Sequence, residues 1–128
     1  MKKILAGLLG LISTASVQAD TGLDFSDITT REKAEALYSK GKLEKILLFP
    51  SELGGEDVPP NTAFVPLGIS EIKNQVTGTL VRYLEEGTIN KLTVEPEYKG
   101  ESFIPSKIKM RAWHSDKKGE FNPSIEVW

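Results

Sequence analysis

The 128-residue chain has no cysteine and one histidine, and these scarcities exclude a good deal of chemistry. Without cysteine there is no disulfide staple, no thiolate nucleophile, no thiolate metal centre and no cysteine to carry a lipid anchor. His114 alone leaves few nucleophile–base pairs and cannot complete a zinc shell. Excess positive charge is also lacking: 16 Lys and Arg stand against 18 Asp and Glu, a formal charge of −2, so a nucleic-acid partner is not expected. Long apolar runs are missing too. The longest, Ile4 to Ile12, has nine residues, whereas a membrane-spanning helix needs about 20.

What is present begins at the amino terminus. Lys2 and Lys3 precede that apolar run, and Val17-Gln18-Ala19 follows it as a small-residue cleavage site, the order of a secretory signal peptide. Residues 1–19 are therefore expected to be removed and residues 20–128 to form a single globular domain. Loss of the two lysines takes the formal charge from −2 to −4. The short leader points to the periplasm, with full secretion as the second choice. An exported domain without disulfides must be held together by its apolar core.

Thr29 and Glu32 have the spacing of a capping box, and Ala34, Leu37 and Tyr38 supply an apolar stripe for about three helical turns, closed at Gly41. These positions superficially resemble half of a tetratricopeptide unit, but the pattern does not recur about 34 residues later as that repeat requires. Ile46–Phe49 reads as a short buried strand. Residues 50–68 hold four prolines and three glycines, and an irregular stretch of that length is a candidate binding loop. Ile69, Ile72, Val76, Leu80, Tyr83 and Leu84 fall on one helical face ending near Gly87, and Thr77-Gly78-Thr79 leaves a strand over 75–83 as the competitor.

The last forty residues are strand-like. Lys91 to Tyr98 has Leu92, Val94 and Tyr98 on one face and Glu95 and Glu97 on the other, with Pro96 marking an edge or bulge. Lys107, Lys109, Arg111 and Trp113 alternate with Ile108, Met110, Ala112 and His114, and Phe121, Ile125 and Val127 alternate with Asn122, Ser124, Glu126 and Trp128. Apolar faces coincide only if paired positions sum to an odd number. A turn over 116–119 sets Met110 opposite Ile125, Ile108 opposite Val127 and Lys109 opposite Glu126. The expected fold is a two-layer α+β domain: a three-stranded antiparallel sheet, or four with Ile46–Phe49, with two helices on one face.

Ser70-x-x-Lys73 at a predicted helix start resembles the nucleophile motif of penicillin-binding enzymes and serine β-lactamases. The likeness covers two positions: no S-D-N and no K-T-G follow, and a serine cap accounts for Ser70. His114-Ser115-Asp116 cannot be a triad, because neighbouring strand residues point to opposite faces. Glu95 with Glu97, and Glu85 with Glu86, are sequence neighbours rather than carboxylates facing across a cleft. Glu52, Glu56 and Asp57 depart from EF-hand spacing. The terminal Glu126-Val127-Trp128 has the aromatic ending of outer-membrane barrel strands, but too few strands are available for a barrel.

The remaining feature is the stripe Lys107, Lys109, Arg111 and Trp113: three cations and an indole on one strand face, with Trp128 expected beside them. The sequence thus predicts a non-catalytic exported binding protein that uses this sheet face or the Pro/Gly stretch, its partner another envelope protein or an anionic ligand. No cofactor or metal is expected. A small periplasmic hydrolase using carboxylates and His114 is the alternative.

Overall fold

A computed structural model of the chain describes residues 23–128; the predicted leader lies outside them. Helix α1 spans Arg31–Ser39. Its cap is Thr30 rather than Thr29: the backbone there is extended and the side chain accepts from the Lys33 amide at 3.1 Å. The predicted reciprocal box fails because Thr29 lies one residue too early and instead meets the Lys33 ammonium at 3.5 Å. Gly41, at φ 75°, ends the helix in the left-handed conformation the sequence called for.

Strand β1 is Leu43–Leu47, starting three residues before the predicted Ile46–Phe49 segment. Its partner, β2 (Thr62–Pro66), lies inside the stretch expected to be irregular. All five residues of β2 are buried, because the strand separates two cores. Ala63 and Val65 join a large cluster with Ile46, Ile69, Leu80, Ile108, Met110 and Ile125, while Phe64 faces a smaller one with Ala34, Leu43 and Ile104. A strand buried on both faces shows no alternation, and Ala63-Phe64-Val65 between prolines is too short a run to signal itself. The β1–β2 ribbon takes over the place in which Ile46–Phe49 had been expected to extend the main sheet.

Helix α2, Ile69–Glu85, forms as predicted, and the competing strand does not. A Cβ at Gly78 would meet only open space, so the interior glycine costs propensity but no packing. The buried stripe is rotated from the expected one. Ile69, Lys73, Thr77 and Leu80 are covered, whereas Ile72 and Leu84 remain 45% and 42% exposed.

The second sheet contains β3 (Lys91–Tyr98), β4 (Pro105–Trp113), β5 (Glu120–Phe121) and β6 (Ser124–Glu126), all antiparallel to their neighbours. β3 is an edge strand with a register shift at Glu97–Tyr98, beside Pro96. The α+β class is therefore as expected, with a four-stranded sheet and a separate two-stranded ribbon.

Ala112 faces Phe121 and Ile108 faces Ile125. The odd sum holds, but the register lies two residues from the one predicted: Glu126 is opposite Lys107, not Lys109, and Ile125 is opposite Ile108, not Met110. The turn is longer than four residues because Asn90 holds Ser115 out of the ladder. Its Oδ1 accepts from the Ser115 amide at 2.9 Å, and its Nδ2 donates to Ser115 Oγ at 3.0 Å. Lys117 also donates to the Gly87 carbonyl at 2.6 Å.

Candidate functional site

Strand β4 sets Lys107, Lys109 and Arg111 on one face with Trp113, as the alternation required. Each cation meets a carboxylate from a neighbouring strand: Lys107 with Glu126 at 3.3 Å and Lys109 with Glu97 at 3.2 Å. Arg111 donates through Nε and Nη2 to one oxygen of Glu120, at 3.0 and 2.5 Å. This hydrogen bond holds the Glu120 carboxyl below the usual range and raises the Arg111 guanidinium. The guanidinium also lies 4.0 Å from the Trp113 ring centre. The stripe is a cross-strand ion-pair network capped by a half-buried indole.

Trp128 does not join this face. The last strand ends at Glu126, and the amides of Val127 and Trp128 both turn to the Ser106 carbonyl. The indole swings inward, donates to the Ile104 carbonyl at 3.0 Å and meets the edge of Phe25 at 5.6 Å. Pairing to Ser106 breaks the alternation that had assigned Trp128 outward.

The other sequence candidates stay apart. His114 accepts at Nδ1 from the Asp116 amide at 2.9 Å, a local turn contact. Asp57 is paired with Lys45 at 3.3 Å, and among the described residues no three His, Asp or Glu side chains gather as a metal shell would require. Ser70 is not the cap of α2, which is Gly68 with no side-chain cap bond; it lies in the first turn, where its amide donates to Glu44 Oε1 at 3.0 Å. Burial opposes the Glu44 charge, but the Ser70 and Gly68 amides and the Ser70 hydroxyl together hold that carboxyl below its usual range. Ser70 and Lys73 make no hydrogen bond to one another among the described residues, so the nucleophile–base contact of the resembled motif is not formed.

A cleft of about 490 Å³ opens between the Pro/Gly segment and β3. Leu48, Phe49, Pro59, Pro60, Asn61 and Thr62 form one wall, Val94, Pro96 and Tyr98 the other, with Arg31 and Phe103 also lining it. The Arg31 guanidinium donates to the Pro59 carbonyl at 3.0 Å and lies 5.1 Å from the Phe103 ring centre and 5.7 Å from that of Phe64. Tyr98 is 47% exposed. It lines the cleft, and burial raises its hydroxyl pKa while Arg31 opposes the shift.

The loop wall is built by Asn61, whose side chain continues the β1–β2 ladder beyond its last residue pair. Oδ1 accepts from the Phe49 amide at 2.8 Å; Nδ2 donates to the Phe49 and Glu56 carbonyls, each at 3.0 Å. The density of proline and glycine pointed to this wall. Nothing in the sequence brought Tyr98, Phe103 and Arg31 to face it.

No protein-family model, curated protein or solved structure matches the chain. Among the described residues no helix is long and apolar enough to cross a membrane.

Proposed function

We propose that this chain is a small exported, periplasmic, non-catalytic binding protein, and that the cleft between residues 48–62 and β3 takes an apolar segment of another envelope protein carrying an acidic side chain. One observation carries the reading. The cleft of about 490 Å³ is lined by Phe49, Tyr98, Phe103 and three prolines, with one cation, Arg31, and no carboxylate. Tyrosine and arginine supply much of the energy of protein interfaces, and prolines present apolar surface at little entropic cost. Arg31 meets Glu35 only at 4.0 Å, an exposed pair one helical turn apart that is worth little, so its guanidinium still favours a negative group on the partner. The β4 stripe, although richer in charge, has its three cations paired within the chain, so a partner there must displace carboxylates before it gains contact.

Selection of a displayed peptide library against the full chain tests this reading. Enriched peptides should combine apolar residues with Asp or Glu, and their affinity should fall at least tenfold in Tyr98→Ala while staying unchanged in Lys109→Ala/Arg111→Ala. Peptides that bind Tyr98→Ala as tightly as the parent refute the cleft. Peptides lost on the double substitution move the site to the stripe.

A further inference from the structure

A second cavity, of about 270 Å³, lies between α2, β1 and the turn after Pro50, and Lys73 is part of its lining. Lys73 is only 4% exposed and makes no hydrogen bond or salt bridge among the described residues. Its aliphatic stem takes the place in the buried stripe between Ile69 and Leu80. Methionine or leucine would fill that place without bringing a charge out of water, which is costly when no counter-ion meets it.

Lys45 and Glu52 also line the cavity, and among the described residues no carboxylate lies within ion-pair distance of Lys73. On β1, Lys45 is paired with Asp57 at 3.3 Å, and Glu44 is held by the Ser70 amide at 3.0 Å. On the turn after Pro50, Glu52 accepts from Ser51 Oγ at 3.3 Å and acts on Lys73 only from beyond contact. Burial pushes the Lys73 ammonium below the usual lysine pKa, and Glu52 opposes that shift. The remaining polar lining is neutral: Ser51, Ser70, Asn74 and Thr77. These hydroxyls and the amide can donate to a bound oxygen and orient it, though none neutralises the lysine.

We propose that this cavity binds a small monocarboxylate, with its carboxylate against the Lys73 ammonium and its remaining contacts to the Ser51, Ser70, Asn74 and Thr77 side chains. Glu52 lines the cavity but does not come within ion-pair distance of Lys73, which leaves the ammonium room for one carboxylate in direct contact. Glu44 and Glu52 nearby disfavour a dianion such as hydrogen phosphate, and about 270 Å³ holds a small organic acid with room to spare. Only the protonated amine attracts the carboxylate. Binding is therefore linked to proton uptake above the depressed lysine pKa, and affinity falls as pH rises through it.

Sodium acetate titrated into the full chain tests the site, with sodium chloride at equal ionic strength and inorganic phosphate run in parallel. Acetate should shift the amide resonances of Ser70, Asn74 and Thr77 saturably, chloride should leave them in place, and phosphate should bind more weakly than acetate. Lys73→Met, which keeps the stem, should weaken acetate at least tenfold. Should that variant fail to fold, the parent chain decides: calorimetry in two buffers of different ionisation enthalpy, carried from neutral pH up through the ordinary lysine range, should show proton uptake and an affinity that declines as pH rises. Equal shifts from chloride, tighter binding of phosphate, undiminished binding by a folded Lys73→Met, or a pH-independent affinity would each overturn the proposal.

Discussion

Removing the Asn61 side chain should destabilise the protein by about 2–3 kcal/mol. Asn61→Ala deletes three hydrogen bonds, two to the backbone of Phe49 and one to Glu56. The two Phe49 bonds are partly buried, and each such bond contributes about 1 kcal/mol net. The Glu56 carbonyl is exposed and can turn to water, so its loss adds about 0.5 kcal/mol. The backbone bond from Leu48 N to Asn61 O, at 2.8 Å, survives the truncation. For a domain of this size the loss corresponds to a fall in Tm of roughly 10–20 °C. Urea unfolding followed by the fluorescence of Trp113 and Trp128 reads it directly. Asn61→Asp supplies the control, because at neutral pH it keeps the acceptor for the Phe49 amide but turns a carboxylate toward two carbonyls. It should be less stable than Asn61→Ala at pH 7 and recover as acid restores a donor. A loss below about 1 kcal/mol for Asn61→Ala, or parental stability for Asn61→Asp at pH 7, refutes the view that this side chain holds the loop wall.

Three further outcomes are expected. A Cβ at Gly55 would stand 1.9 Å from the Phe49 carbonyl oxygen, so Gly55→Ala should cost about 2–4 kcal/mol in denaturant unfolding; it should add less than its full cost on top of Asn61→Ala, since both act on Phe49. Trp128→Phe removes the indole bond to the Ile104 carbonyl and should cost about 1 kcal/mol by thermal unfolding. Glu120 has its carboxyl held below the usual value by Arg111, so its contribution is present above the ordinary carboxylate range and disappears as pH falls through the depressed pKa. The stability difference between the parent and Glu120→Gln should accordingly shrink in acid and in high salt, and a difference that persists in both excludes the ion pair as its source.

Alternation and helical periodicity are local properties, and what depended on them was legible in the chain. The α+β class, α2, β3, the two faces of β4 and the parity of its pairing follow from side-chain spacing alone. So does the cationic stripe, because residues two apart in a strand share a face whatever the strand pairs with. The sequence likewise marked residues 50–68 as a candidate binding loop through proline and glycine density.

Tertiary contacts decided the rest. β2 escaped notice because a strand between two cores shows neither alternation nor flanking polarity. Asn90, distant in sequence, lengthened the last turn and moved the register by two residues, and the Ser106 carbonyl drew Trp128 inward. The rotation of α2 that buries Lys73 and exposes Ile72 was set by the ribbon against which the helix packs. The cleft itself joins Arg31, Asn61, Tyr98 and Phe103 from four separate parts of the chain. Such convergence depends on how the elements dock, and docking is fixed by the whole core at once rather than by any stretch of residues within it.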